Sequence, residues 1–145
     1  MLVFMGEYQH ALDDKGRITI PAKFREELGT SFVITRGLDH CLFVYPRKDW
    51  EALEAKLRAM PLSRADARQF MRFFFSGAAE SELDKQGRVL LPMNLRDYAH
   101  IARDCVVIGV GARVEIWDLE TWKSYTSDAE DQFSDLASGL VDLDL

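Results

Sequence analysis

Apolar and polar residues follow two different periods along this chain, and these periods divide it into strands and helices. Residues 4–12 alternate as a half-buried strand does, with Tyr8, His10 and Leu12 on one face. The same reasoning predicts further strands over residues 17–20, 32–36, 41–45, 80–84, 87–91, 105–110 and 114–117. Short helices are predicted over residues 22–28, 94–101 and 121–125. Each half of the chain is therefore predicted to be β-β-α-β-β.

Helical spacing dominates the segment between the two halves. After Pro46 a single apolar stripe is formed by Trp50, Leu53, Leu57 and Met60. Pro61 interrupts this helix, and residues 63–66 have the capping-box pattern that predicts the start of another. The second helix is predicted to run to about Phe75 and to turn inward Phe70, Met71 and Phe74.

Phe73 and Phe75 fall outside the inward stripe of the second linking helix, so the segment Phe-Phe-Phe presents aromatic surface in two directions. One interpretation is that both rings complete the intramolecular core. The other is a subunit interface, where aromatic residues are enriched. The sequence leaves both interpretations open.

A long segment of the chain occurs twice. Leu12 to Arg25 returns 71 positions later as Leu83 to Arg96, with identical residues at six places: leucine (12 and 83), aspartate (13 and 84), glycine (16 and 87), arginine (17 and 88), proline (21 and 92) and arginine (25 and 96). The match resumes at a spacing of 72, where Val44-Tyr45 and Trp50 correspond to Ile116-Trp117 and Trp122. Such repetition indicates an internal duplication, and we expect two half-domains related by a pseudo-twofold axis. At 145 residues, the halves are each near the size where a lone core is marginal, so a shared core is expected.

Charge is distributed unevenly. The net charge of -6 includes -7 from Asp118 onward, where eight acidic residues accompany one lysine, which leaves +1 for the rest. Both repeated segments are locally basic, with four basic and two acidic residues in 13–25 and three and one in 84–96. Local potential decides whether a phosphate is attracted, because charges beyond about 10 Å are largely screened at ordinary salt. The acidic end is expected to form at most a weak, fraying helix.

The cysteines, the amino-terminal segment and the length of the apolar runs favour an intracellular protein. Cys41 and Cys105 lack any CxxC context and are interpreted as buried free thiols, with a disulfide or a metal role as the alternative. The amino-terminal MLVFM lacks a signal-peptide core, and no apolar run approaches the roughly 18 residues of a membrane span. We expect a cytoplasmic protein with no membrane partner. His10, His40 and His100 show no ligand spacing, and no phosphate-binding glycine motif is present, so neither metal nor cofactor is predicted.

The repeated turn carries more chemistry than a turn requires. An Asp-x-x-Gly turn needs no arginine at the next position, yet Arg17 and Arg88 both occupy it. A carboxylate four residues earlier can reach across the turn and fix the guanidinium, as Asp13 and Asp84 would do. A pre-oriented guanidinium loses less entropy when it meets a phosphate or a guanine edge.

These duplicated DxxGR-strand-Pro segments, the Tyr-Pro and Trp-Asp pairs that precede each Trp, and the chain length resemble the MraZ family of bacterial transcription regulators, over about residues 4–125. The resemblance implies a mainly β fold with α-helices (α+β), a duplicated swapped-hairpin AbrB-like β-barrel pseudo-dimer with peripheral helices. It implies SpoVT-AbrB-like repeats at 4–50 and 77–123, linking helices at 51–76 and an acidic C-terminal tail at 124–145.

The resemblance also implies a function. Members of this family are ring-shaped homo-oligomers whose loops contact short repeats in double-stranded promoter DNA of the division and cell-wall operon. We therefore expect a nucleoid-associated regulator, a repressor of its own operon, with no small-molecule substrate. Carried across residue by residue, the DNA-binding positions are Asp13, Lys15, Gly16, Arg17, Asp84, Lys85, Gly87 and Arg88. The basic residue precedes glycine directly as Lys15, but Gln86 stands there in the second copy, so the two loops are not expected to make identical contacts.

Two other classes of function compete with the regulator. An enzyme using Asp13 and Asp84 as a carboxylate dyad would need both groups to share a proton, whereas each has an arginine four residues on that favours the ionised form. No catalytic residue is predicted. An antitoxin-like or purely protein-binding module on the same fold stays open, because fold alone does not determine function.

Overall fold

The computed structural model describes residues 3–140. Its strands are β1 (Phe4–Ala11), β2 (Arg17–Thr19), β3 (Ser31–Arg36), β4 (Leu42–Pro46), β5 (Ala79–Glu82), β6 (Arg88–Leu90), β7 (Asp104–Gly111) and β8 (Val114–Asp118). Its helices are α1 (Ala22–Leu28), α2 (Arg47–Arg58), α3 (Ala65–Ser76), α4 (Met93–Tyr98) and α5 (Leu119–Ser138), with a short 3-10 turn at Leu38–His40. The predicted β-β-α-β-β order is therefore present in both halves.

The sheet is built by exchange between the halves. Six strands pair in the order β1-β7-β8-β4-β3-β5, and β2 pairs with β6 in a separate ribbon. The first strand of each half thus lies against the third strand of the other, and the equivalent strands β4 and β8 meet in the middle. Ile18 pairs with its repeat equivalent Val89 at the centre of the ribbon. The expected α+β class and duplicated pseudo-dimer are confirmed.

The strands on either side of the turn at residues 13–17 do not pair with each other as a simple hairpin. The turn itself forms, since the Asp13 N–H donates to the Arg17 carbonyl at 2.9 Å and the Gly16 N–H to the Asp13 carbonyl at 3.0 Å. Beyond it β2 leaves β1 and pairs with β6. Turn residues specify the reversal of the chain, but the partner is chosen by burial, and Ile18 is fully buried in the shared core.

Both faces of the four inner strands of the sheet, β7, β8, β4 and β3, are covered, and this explains why these strands are largely apolar. Phe32 and Ile34 of β3 face the core shared with the ribbon, α1 and α4. Val33, between them, faces a second cluster with Trp50 and Phe74 of the linking helices. Alternate residues of a strand point to opposite faces, so a strand buried on both sides is mostly apolar. The buried polar residues of these strands, Thr35 and Glu115, have hydrogen-bond partners. The result is one body with a core that both halves share.

Helix α3 departs from its prediction at two points. It begins at Ala65 with Arg64 at the N-cap and no side-chain cap bond, so the predicted capping box at residues 63–66 does not form. Phe74 is buried as predicted, but Phe70 is 41% exposed. The α3 stripe facing the sheet is narrow, because α3 packs there mainly through Ala67 and Phe74.

Phe73 and Phe75 differ in burial. Phe75 packs into the core against Trp50, with ring centroids 5.7 Å apart. Phe73 is 50% exposed, and the Arg36 guanidinium stacks 4.0 Å from its ring centre. Arg36 also donates to the Phe73 carbonyl, and the buried Thr35 hydroxyl donates to the Phe74 carbonyl at 2.7 Å. These bonds satisfy carbonyls at the end of α3 that no helical N–H can reach.

Helix α5 is longer than predicted. The short helix expected over residues 121–125 and the weak helix of the acidic tail are one continuous helix, Leu119–Ser138. Asp118 caps its start by accepting the Thr121 N–H at 3.0 Å. The last five residues of the predicted tail lie outside the described residues. Across residues 3–140, the structure contains no helix that is both long enough and apolar enough to cross a bilayer.

Both cysteines are buried free thiols, as predicted. Desolvation raises the pKa of Cys105 to about 12 and that of Cys41 further still, so neither thiol ionises at neutral pH.

Candidate nucleic-acid interface

The first repeated loop, Asp13–Arg17 (loop 1), is organised by one carboxylate. Asp13 Oδ1 accepts the backbone N–H groups of Lys15 and Arg17, both at 2.9 Å. Its Oδ2 accepts Arg17 Nε at 2.7 Å. Gly16 lies at a φ of 79°, a left-handed conformation that glycine adopts without steric cost. Arg17 Nε is thus occupied, while its two terminal nitrogens make no hydrogen bond within residues 3–140 and remain available to a ligand.

The second loop, Asp84–Arg88 (loop 2), repeats this geometry. Asp84 Oδ1 accepts the N–H groups of Gln86 and Arg88, and its Oδ2 accepts Arg88 Nε at 2.8 Å. Gly87 has a φ of 77°. The backbones are equivalent, so the loops differ only in the side chains they present.

That difference lies at the two middle positions of the turn. Loop 1 has Asp14 and Lys15 where loop 2 has Lys85 and Gln86. The same backbone therefore presents its lysine one position earlier in loop 2, directly after Asp84, and loop 2 lacks the additional carboxylate that Asp14 gives loop 1. The predicted inequivalence of the loops is a difference of side-chain charge and not of conformation.

The ribbon brings the two loops together. The Ile20 N–H donates to the Gly87 carbonyl and the Leu91 N–H to the Gly16 carbonyl, both at 2.9 Å. Each loop is thus anchored by a backbone N–H at the end of the ribbon strand, β2 or β6, that belongs to the other half. Arg88 Nη1 lies 3.7 Å from Asp13 Oδ2, so loop 2 contacts loop 1 directly. The eight residues predicted as a site, in two sets about 71 positions apart, meet at the end of the ribbon. Six of them form one composite surface there, whereas Gly16 and Gly87 are buried beneath Arg96 and Arg25.

Two arginines of this surface were not predicted as site residues, Arg25 on α1 and Arg96 at the equivalent place on α4. Arg25 Nε donates to the Ile20 carbonyl at 2.7 Å and Arg96 Nε to the Leu91 carbonyl at 3.0 Å. Each guanidinium covers the glycine of the loop from the other half, since a Cβ on Gly87 would lie 2.2 Å from Arg25 Cζ.

The signal for these two arginines was present in the repeat, where both copies end on arginine. Sequence reasoning missed their role because they face the loop of the other half, which only the exchanged fold brings near. They add a positive charge beside each glycine. Since each Asp-Arg pair of the loops is neutral, the net charge of the surface comes from Arg25, Arg96, Lys15 and Lys85, partly offset by Asp14.

The loop carboxylates are held ionised. The pKa of Asp13 is lowered chiefly by the backbone hydrogen bond from Arg17, and by the guanidinium of the same residue. The pKa of Asp84 is lowered in the same way by Arg88. Two carboxylates that both favour the charged form are unsuited to sharing a proton, which a catalytic dyad requires.

The histidines are less isolated than the sequence suggested. The rings of His40 and His100 stack with centroids 5.1 Å apart, and His40 also stacks on Tyr98. No group of three or more potential metal-ligating side chains occurs among residues 3–140.

Comparison with known proteins identifies the family. A family model described as "MraZ protein, putative antitoxin-like" matches residues 3–73 and again 74–144. The chain belongs to the MraZ family. Its two matches are consecutive, as expected for the duplication that the fold displays. Together they span nearly the whole chain.

Curated relatives agree with this family over their full length. The Transcriptional regulator MraZ of Syntrophomonas wolfei is 60% identical over 141 residues, 97% of this chain and 99% of the relative. The protein of the same name from Moorella thermoacetica is 59% identical over 143 residues, 99% of this chain and all of the relative. That from Natranaerobius thermophilus is 57% identical over 143 residues. The shared name supports a role in transcription regulation.

Proposed function

We propose that this protein is a sequence-specific DNA-binding transcription regulator that contacts double-stranded promoter DNA through loops 1 and 2. The observation that carries the proposal is the convergence of the loops, with Arg88 Nη1 3.7 Å from Asp13 Oδ2. Two Asp-fixed guanidiniums on one basic surface suit the paired acceptors of a guanine edge or the oxygens of a phosphate.

The proposed contacts divide by chemistry. Arg17 and Arg88 are pre-oriented through Nε, so their terminal nitrogens can read base edges. Lys15 and Lys85, exposed on the two loops, are point charges suited to phosphates, which position a protein without reading sequence. Gly16 and Gly87 permit the turn, and Asp13 and Asp84 hold it.

On the family resemblance we extend the proposal to the target and the assembly. The target is a set of short repeats in the promoter of the protein's own division and cell-wall operon, which it represses. The protein would then be nucleoid-associated. Subunits form a closed ring, because one subunit offers a single composite surface and weak contacts become selective when several are linked.

The test is an electrophoretic mobility shift with DNA from upstream of the protein's own gene. Arg17→Ala should weaken binding by about 1–3 kcal/mol per site, the usual worth of a bidentate base contact. The loss should be larger on the correct repeats than on scrambled DNA. If Arg17 contacts only phosphates, binding should instead weaken on all sequences and the salt slope should fall by about one.

The matched control is Arg58→Ala on α2, whose side chain is 72% exposed and pairs only loosely with Glu54 at 3.6 Å. It removes the same charge away from the loops and should leave DNA binding unchanged. Unaltered affinity of Arg17→Ala, with normal thermal unfolding, would remove Arg17 from the interface.

An antitoxin-like, protein-binding role is the second candidate, favoured by the wording of the matching family model. It predicts no preference for the promoter repeats at modest salt and the capture of a protein partner in their place. Pull-down with immobilised promoter and scrambled duplexes separates the two candidates.

A further inference from the structure

The second half of α5 has an apolar face that stays largely exposed among residues 3–140. Trp122 and Tyr125 begin this face and pack on Trp117, with ring centroids 5.1 and 4.9 Å away. At helical spacing the face continues through Ala129, Phe133, Leu136 and Leu140, just past the helix end. Phe133 is 68% exposed, Leu136 50% and Leu140 60%. This set, from Ala129 to Leu140, is called the α5 stripe.

The free half of α5 is also poor in intrinsic stabilisation. A helical segment this short is marginal in water unless its apolar face is packed. Asp128, Glu130, Asp131 and Asp135 bring negative charge toward its C-terminal end, where the helix dipole is already negative, and the last turn has no basic residue. Packing against an apolar surface rimmed by cations would offset both deficits.

Such a surface lies on α3 and the neighbouring 3-10 turn. A groove of about 470 Å³ is lined chiefly by Leu38, Phe70, Phe73 and Tyr98, with Arg36 at its wall. Leu38, Phe70 and Phe73 are 62%, 41% and 50% exposed. This set of residues is called the α3 groove.

The surface next to the α3 groove, beyond Phe73, is basic and is called its rim. Arg68 and Arg72 flank Phe73 on the other side of its ring. Asp66 also lines the α3 groove, and its charge is offset by Arg64, whose Nη2 lies 2.7 Å from Asp66 Oδ2. The α3 groove thus offers an aromatic floor to the apolar residues of the α5 stripe. Its cationic rim suits the acidic residues beside that stripe.

We propose that the α5 stripe of one subunit docks in the α3 groove of the next copy of this chain. Both surfaces are present on every subunit and they differ from each other, so the contact is head-to-tail. A head-to-tail contact generates a closed ring when its rotation closes. The inference rests on the ring assembly proposed above and assigns its interface.

Phe73 is the central residue of the docking site. Phe73 lies between the α3 groove and the neighbouring depression lined by Arg68 and Arg72. The hydrogen bond from Arg36 to the Phe73 carbonyl holds the end of α3 in place. Packing within the subunit leaves the Phe73 ring half exposed, and docking of the α5 stripe would bury it. Aromatic side chains and arginine are enriched at such interfaces.

Two variants that each disable one surface test the pairing. The stripe variant carries Phe133→Ser and Leu136→Ser, and the groove variant carries Arg72→Ser and Phe73→Ser. Sedimentation velocity at micromolar concentration, without DNA, should show a ring for the wild type and a monomer for each variant alone. An equimolar mixture retains one intact groove and one intact stripe, so it should form a 1:1 dimer and nothing larger.

The control is Met5→Ser, which removes an equally exposed apolar side chain from β1 and should leave the ring intact. Thermal unfolding checks that each variant is folded; if the groove variant is not, Arg72→Glu alone takes its place, since it touches only the rim. A wild-type monomer overturns the proposal, as does wild-type assembly by either variant. So does a mixture of monomeric variants that stays monomeric.

DNA binding separates this inference from the proposed function. The monomeric variants keep loops 1 and 2, so they should bind a single promoter repeat as the wild type does and lose only the avidity gained on several repeats. If they lose single-repeat binding too, the docking site and the DNA surface are not independent and the inference fails. If Arg17→Ala leaves DNA binding intact while the mixture still dimerises, the proposed function fails and the docking site stands.

Discussion

Gly16 and Gly87 are each constrained twice, by backbone conformation and by a neighbour. Both have a positive φ, and the Arg25 or Arg96 guanidinium of the other half lies over them. A side chain at either position would have to displace an arginine whose Nε is bonded to a backbone carbonyl. The glycines therefore couple the shape of each loop to the packing between the halves.

Gly87→Ala should reveal this second constraint. The left-handed conformation alone should cost about 1–2 kcal/mol. Displacing Arg25 from the Ile20 carbonyl should add roughly 1 kcal/mol, the net worth of such a hydrogen bond. Denaturant unfolding measures the sum, and DNA binding should weaken with it.

Gly111→Ala is the matched control, because Gly111 has a φ of 74° and a Cβ there would meet nothing within 4 Å. It should show only the conformational cost. Equal destabilisation by the two substitutions would mean that Arg25 moves freely and does not brace loop 2.

The loop carboxylates predict a pH dependence in the acid range. Because the folded pKa of Asp13 lies below its ordinary 3.8, the ionised form stabilises the loop above that pH, and this contribution is lost as the pH falls through the lower folded value. Carboxyl NMR titration should give Asp13 a midpoint below 3.8.

In Arg17→Ala the Asp13 midpoint should rise but stay below 3.8, because the largest cause of its lowered pKa, the backbone N–H of residue 17, remains. Asp84, in the other loop, is the internal control and should keep its lowered pKa. An Asp13 midpoint at or above 3.8 in the wild-type protein would contradict the loop geometry.

At the scale of elements, turns and caps are local features that end or start an element without choosing its partner. The loop 1 turn reverses the chain, and Asp118 starts α5. What β2 pairs with and where α5 packs depend on distant residues. This distinction separates substitutions with local effects from those that disturb the whole sheet.

Asp118→Ala should destabilise the protein by about 1 kcal/mol, since Asp118 Oδ2 accepts both the Thr121 N–H and its hydroxyl at 3.0 Å. Thermal or denaturant unfolding measures the loss. Ser124→Ala, at an exposed position on the same helix, should stay within about 0.5 kcal/mol of the wild type. If Asp118→Ala lowers the free energy of unfolding no more than Ser124→Ala does, the Asp118 cap does not stabilise α5.

At the scale of the whole molecule, the exchange of strands makes each half depend on the other. A single half retains the β3–β4 pair but loses the partners of β1 and β2 and the outer partners of β3 and β4. Its core residues would be exposed along Ile18 and Phe32, which are fully buried in the intact chain. The duplicated chain is in effect a dimer linked by α2 and α3.

A fragment of residues 1–76 should therefore have no folded monomer. Circular dichroism should show it unfolded at low concentration, and sedimentation should show a homodimer as concentration rises, because a second copy can supply the missing strands. Adding the fragment 77–140 should produce a 1:1 complex with the sheet of the full chain. A folded monomer of the first fragment would show that the exchanged pairs are dispensable.

The sequence by itself determined the elements and the duplication. Apolar periodicity placed all eight strands, and α1, α2 and α4 lie where it placed helices, because these signals are local. The repeat and its Asp-x-x-Gly-Arg residues pointed to the loops, and the family resemblance supplied the exchanged topology. The first copy of the loop turn formed as its aspartate and glycine predict.

Only the tertiary structure decided the register in which the strands pair, that Arg25 and Arg96 cover the loops, and that Phe73 and Phe70 are exposed while Phe75 is partly buried. Each of these depends on groups far apart in the sequence. An apolar residue needs burial, but its periodicity does not say against what, because the hydrophobic effect is not directional. The choice of partner is made by the whole shared core, in which Ile18 and Val89 meet across the two halves.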